Sequence, residues 1–201
     1  MIWLDIMTIT VDDFKQALGS KSFTDRQIVQ RYLIYGDPFV YAKKLETYYL
    51  LKEEIAKEFH THPHNVIMVG SAKLGFSIAP NQLWKPFSDE SDIDIVIVSE
   101  VTFREYWEQL FLFNINTARN QKEEENFKKF KDYFFKGWIR PDLFDFRFDK
   151  KNHWFDFFKS ATRKYGDGRK ITGALYHNFS FFEKYHMNNL NSIRNPGGSN
   201  V

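Results

Sequence analysis

Two spacings of apolar residues divide the chain. Over roughly the first sixty residues they recur at helical intervals, interrupted at glycine and proline. Thr10 is placed to cap a helix through VDDFKQAL that stops at Gly19, and Thr24 to cap one through DRQIVQRYLIY that ends at Gly36. Asp37 and Pro38 supply an N-cap and a first-turn proline for a third helix through VYAKKLETYYLLKEEIAKEF. The character changes at Pro63. NVIMV (65–69) predicts a short buried strand, and IDIVIVS (93–99) the strongest strand of the chain. The stretch between them, FSIAPNQLWKPFSDE (76–90), lacks periodicity and carries Pro80 and Pro86, which predicts a loop.

Beyond this point Thr102 is placed to cap a helix through FREYWEQLFLFNINTA, and NQKEEENFKKFKDYFF predicts a charged helix ending near Gly137. DLFDFRF (142–148) alternates as a strand would, residues 150–159 form a short helix, and KYGDGRK is a turn. ITGAL is a weak strand, HNFSFFEKYHMNNL a final helix, and PGGSNV a frayed tail. The expected architecture is α+β: a small mixed sheet with the 93–99 strand central and helices packed on it. An N-terminal helical segment (1–60) precedes a domain over 61–201, the two forming one compact unit.

The phase of the central strand carries the first chemical signal. Residues two apart share a face, so Asp92 and Asp94 project side by side and Val96 and Val98 continue that face, while Ile93, Ile95 and Ile97 point the other way. Two adjacent carboxylates at the mouth of a core strand repel and are costly to bury unpaired. A divalent cation is the simplest remedy, and an oxygen-only pair favours Mg²⁺ or Mn²⁺. The plainer reading is a solvated strand start, with Ser88 and Ser91 capping a turn.

Composition narrows the classes. The chain has 201 residues, including 22 Phe, 10 Tyr and 5 Trp, enough apolar surface for a packed domain. A formal net charge of +2 provides no global field for nucleic acid, although a local basic patch is compatible with it. The absence of cysteine excludes disulfides and thiolate metal sites. Acids in MIWLDIMTITVDD argue against a secretory leader, and no apolar run has the length of a membrane span, so a soluble, cytoplasmic protein without membrane contact is expected.

The second signal is GSAKLGF (70–76), directly after NVIMV. A glycine lets backbone approach a ligand, Ser71 offers a hydroxyl, and Lys73 is two residues further on. Alone, this is an ordinary turn with a helix start. Strand, Gly-Ser turn, connection and a strand opening S-D-x-D together resemble the DNA polymerase β-type nucleotidyltransferase superfamily, over roughly 65–100 with weaker support to about 148. The matching residues are Gly70, Ser71, Asp92 and Asp94.

The resemblance implies a Mg²⁺-dependent enzyme of two-metal type. Asp92 and Asp94 would hold the metal against a nucleoside triphosphate, and Gly70, Ser71 and Lys73 would bind its phosphates. A nucleoside monophosphate would pass to an unidentified acceptor: RNA, protein, another nucleotide or a small molecule. Small members of this superfamily often serve toxin–antitoxin or phage-defence modules, a context offered by analogy. The alternative is an inactive relative that binds nucleotide or a protein partner.

Two features depart from the pattern. The 76–90 connection is longer than in compact members, as a lid, specificity loop or plain insertion would be. Trp84 and Lys85 within it are candidates to touch a base or phosphate, against the simpler reading of a surface loop packing its own Trp. A third carboxylate is also needed. Asp145 sits mid-strand between Phe144 and Phe146 as the pattern would have it, unless it pairs with Arg147; Asp142, after Pro141, is the other candidate. His60, His62 and His64 are read as a solvated loop, and His177 and His186 as structural. Lys122 to Lys131 is a solvated helix face, and Arg163, Lys164, Arg169 and Lys170 make the best candidate for a basic patch.

Overall fold

Thr10 and Thr24 cap their helices as expected, each in a reciprocal arrangement: the hydroxyl accepts a backbone N–H three residues on while Asp13 or Gln27 reaches back. The computed structural model describes residues 9–112, 118–143 and 149–195. Its helices are α1 (Val11–Gly19), α2 (Asp25–Val29), α3 (Leu45–Glu58), α4 (Gly70–Leu74), α5 (Glu100–Phe111), α6 (Gln121–Phe135), α7 (Asp149–Tyr165) and α8 (Phe179–Arg194). Its strands are β1 (Val66–Val69), β2 (Ile93–Val98), β3 (Trp138–Ile139) and β4 (Ile171–Tyr176). A π-helical turn, Gln30–Ile34, extends α2.

The strands form one mixed sheet in the order β1-β2-β4-β3. β2 is antiparallel to β1 and parallel to β4, and β4 is antiparallel to β3. The S-D-x-D strand is therefore central. Its parallel partner is reached only by a long crossover, which α5, α6 and α7 supply.

Both faces of the sheet are covered, which is why β2 reads as apolar on both sides. Ile93, Ile95 and Ile97 pack with Leu51 and Ile55 of α3 and with Trp154 and Phe158 of α7. Val96 and Val98 pack on the opposite side with Ile67, Leu74, Trp138, Tyr176 and Phe182. Phe14, Ile28, Val29 and Leu33 join this second core and α3 joins the first, so the N-terminal helical segment is built into both. Gly173 explains why ITGAL reads weakly as a strand: a Cβ there would lie 2.3 Å from Phe158 Cζ, so the missing side chain admits α7.

Four expectations are corrected. The third helix starts at Leu45; Phe39–Tyr41 is a single 3₁₀ turn, because Tyr41 turns inward and its hydroxyl donates to the Tyr165 carbonyl at 2.7 Å. Ser99, not Thr102, caps α5, accepting the Thr102 N–H at 3.2 Å, while the Thr102 hydroxyl donates to the Phe59 carbonyl at 3.0 Å. The helix expected over 150–159 runs over Asp149–Tyr165, since its apolar stripe continues to Ala161 and Tyr165 in the first core. Pro141–Leu143 is a helical turn where a strand over 142–148 was expected; residues 144–148 of that strand lie outside the described residues. Among the described residues, the strand beside β4 at the edge is Trp138–Ile139.

Side chains from the N-terminal helices hold α8 in place. Glu183 of α8 accepts from Arg26 Nε at 2.7 Å and Gln30 Nε2 at 2.6 Å, and Arg194 Nε donates to the Leu18 carbonyl at 3.0 Å. Among the described residues no helix is long and apolar enough to cross a membrane.

Candidate functional site

The two sequence signals, 20 residues apart, meet in space. Val69 at the end of β1 stands opposite Asp94 in β2. The chain then turns at Gly70, whose φ is +68°, and an added Cβ would lie 3.1 Å from Asp94 Oδ2. A side chain at residue 70 would thus be strained by its backbone and pressed on the carboxylate at once.

Asp92 is exposed just before β2, and Asp94 is half-buried within it. Thr172 of β4, beside Asp94 in the parallel register, donates its hydroxyl to Oδ1 at 2.7 Å. Among the described residues Oδ2 carries no hydrogen bond, and it faces Gly70. Burial raises the pKa of Asp94. The Thr172 hydrogen bond opposes that rise, the Asp92 charge adds to it, and Arg140 and Lys170 pull it back.

These groups line a cleft of about 1210 Å³, above the usual size of a small-molecule site. Gly70, Ser71, Asp92, Asp94, Arg140 and Asp142 contribute to its walls. Part of the 76–90 loop forms a further wall. The loop is tied to itself by Ser77 N–H to the Lys85 carbonyl and Trp84 N–H to the Ser77 carbonyl, both 2.8 Å. Lys85 faces the cleft, whereas Trp84 packs against Phe14 and Phe76, with Lys15 Nζ 5.1 Å from its ring.

Lys73 lies elsewhere. It is buried, and its ammonium donates to the Gly36 carbonyl away from the cleft walls. Burial lowers its pKa to about 8, an effect that the nearby Asp37 charge partly offsets.

Asp142 does line the cleft, but both its oxygens are engaged: Arg140 Nε donates to Oδ1 at 3.0 Å and Nη2 to Oδ2 at 2.6 Å. Burial works against the Arg140 charge, yet the Asp142 carboxylate outweighs it and holds the guanidinium pKa up. Asp145 lies outside the described residues. Among the described residues no three His, Asp or Glu side chains are grouped to hold a metal. What is present is a two-carboxylate set of hard oxygen donors, with Asp94 Oδ2 unengaged, and such a set suits one divalent cation completed by water or phosphate oxygens.

The basic turn disperses. Lys170 lines the cleft, but Arg169 is bonded to Asp89 and to the Ser88 carbonyl, Lys164 is paired with Glu54, and Arg163 is exposed. His60, His62 and His64 are exposed, and His62 Nδ1 caps its own turn by accepting the His64 N–H at 3.2 Å. Sequence reasoning missed Thr172 and Arg140. Thr172 had no signal, because a lone Thr in a strand is ordinary. Arg140 had one: an arginine two residues from Asp142 across a proline.

Among the described residues the fold is thus α+β on a mixed sheet of four strands, with a carboxylate-bearing cleft at the start of its central strand. No family model, curated protein or solved structure matches the chain.

Proposed function

We propose that the protein is a Mg²⁺-dependent nucleotidyltransferase that moves a nucleoside monophosphate from an NTP to an acceptor hydroxyl. The observation that carries this is the contact of the two motifs: the Gly-Ser turn closes directly on the second carboxylate of the D-x-D pair, within one large cleft. Asp92 and Asp94 would hold the cation, which when bound supplies electrostatic stabilisation at the α-phosphate and the departing pyrophosphate.

The chain's own residues do the rest. The unengaged Oδ2 of Asp94 is a ready ligand atom, and the Thr172 hydroxyl orients that carboxylate by occupying Oδ1. Ser71 donates its hydroxyl to a phosphate oxygen, and Lys85 and Lys170 on the walls offset the triphosphate charge. Gly70 keeps the turn close enough for all of these to act on one ligand.

A second reading is favoured by one observation. Asp142 is held in the Arg140 fork, and a nucleotide-binding protein without transferase activity would look the same at that position. Incubation with each α-labelled NTP, Mg²⁺ and total RNA or lysate separates the two. Label transfer that disappears in Asp92→Ala/Asp94→Ala supports the enzyme. Mg²⁺-dependent NTP binding with no transfer supports the inactive relative, and the absence of NTP binding sinks both.

A further inference from the structure

The cleft has a second end, on the same side of the sheet as Asp94, between β3, β4 and α8. Trp138, Tyr176, Tyr185, His186 and Asn189 line it. The Trp138 and Tyr176 rings lie parallel, centroids 5.4 Å apart and 2° between planes, and Tyr185 meets Trp138 edge-on at 5.1 Å. Polar atoms sit within this aromatic wall. Among the described residues the Trp138 indole N–H and both ring nitrogens of His186 are buried without a hydrogen-bond partner, and Trp138 as a whole is only 7% exposed.

Buried polar groups are nearly always bonded, and each exception calls for an explanation. Core packing alone does not provide one at position 186, since Phe there would fill the space at no desolvation cost. Burial lowers the His186 pKa to about 4, so at neutral pH one ring nitrogen donates and the other accepts. The missing partner therefore presents complementary acceptors and donors, and the wall suits a flat π-system. An anion fits poorly beside a neutral imidazole. Arg140 links the two ends: its charge acts on Asp94 at one and on Tyr185 at the other.

We propose that this inner end is a nucleobase subsite, in which the heteroaromatic ring of the nucleotide lies against Trp138, Tyr176 and Tyr185 and its polar edge bonds Trp138 Nε1–H and the His186 ring. The inference rests on the nucleotide reading above and assigns the place where base identity is read.

Calorimetric titration of the intact chain tests it, with Mg²⁺ and each of three probe sets: the four NTPs, the four nucleosides, and inorganic tripolyphosphate. His186→Phe and Trp138→Phe are expected to weaken the preferred NTP at least tenfold, to flatten the preference among bases and to abolish nucleoside binding. Tripolyphosphate binding stays at the wild-type value. His186→Gln, which keeps a donor and an acceptor, retains part of the preference, and unliganded His186→Phe melts no lower than wild type.

Wild-type NTP affinity and base discrimination in both Phe variants overturn the subsite. So does tripolyphosphate binding as tight as that of every NTP, which leaves the carboxylate site intact. Nucleoside binding sensitive to His186, with no Mg²⁺-dependent tripolyphosphate binding, supports the subsite and counts against the transferase. An unliganded chain that binds none of the probes overturns both.

Discussion

The two ends of the cleft solve one problem in opposite ways. At the start of β2, Asp94 is half-buried beside a second carboxylate, and its raised pKa records the cost of keeping the charge. At the α8 end, the His186 ring nitrogens are buried without a partner among the described residues, and the lowered pKa records the loss of charge. The difference lies in the surroundings. Asp94 has a hydroxyl on one oxygen and the charges of Arg140 and Lys170 acting on it, whereas among the described residues the His186 ring nitrogens meet no hydrogen bond. A carboxylate pair offers hard oxygen donors that suit a cation, whereas a neutral imidazole in an aromatic wall suits a neutral polar partner.

Several substitutions and conditions set the ends against each other. The largest effect is expected from Asp92→Ala/Asp94→Ala, which should reduce label transfer by roughly 10³-fold or more while nucleoside binding at the far end persists. Residual transfer near the wild-type rate would remove the carboxylates from the chemistry.

Acid acts on the far end. The folded pKa of His186, about 4, is below the unfolded value, so the unfolded chain takes up the extra proton first as pH falls. Stability from this group is complete above about pH 6.5 and is lost between there and pH 4, a total of roughly 3 kcal/mol at about 1.4 kcal/mol per unit. Urea melts of wild type and His186→Phe should diverge across that window, wild type losing stability that the variant keeps, if the histidine is the cause. Asp94 works in the reverse sense: its raised pKa penalises the fold at neutral pH, and protonation relieves the penalty as pH falls.

Gly70→Ala is expected to cost about 1–3 kcal/mol through its positive φ and to displace Asp94, lowering Mg²⁺ affinity with it. Equal losses of stability and metal affinity in a variant distant from Asp94 would argue against this local cause. Asp94→Asn keeps the Thr172 contact and removes the buried charge. It should raise Tm by ~2–4 °C, from about 1 kcal/mol, while abolishing Mg²⁺-dependent binding. The smallest effect is expected at Lys73→Met: NTP affinity within twofold of wild type, because the ammonium is bonded to the Gly36 carbonyl outside the cleft.

Helix caps and strand phase were legible because each depends on neighbours in sequence. Thr10, Thr24 and the alternation of Asp94, Val96 and Val98 with three isoleucines required nothing from elsewhere in the chain. Where a distant contact intervened, local signals failed. Tyr41 broke the start of a helix to reach Tyr165, and the Thr102 hydroxyl left the cap to bond Phe59.

The sequence by itself determined the architecture class, the central strand and the alternation of Asp94, Val96 and Val98 with its isoleucines, since a period of two is a local property. Only the tertiary structure decided that Gly70 touches Asp94, that Lys73 turns away to Gly36, and that Asp142 is engaged by Arg140. Only the structure, too, brought Trp138 and His186, 48 residues apart, to one cleft. Such pairings follow from strand register and helix packing, which join residues that no spacing along the chain connects.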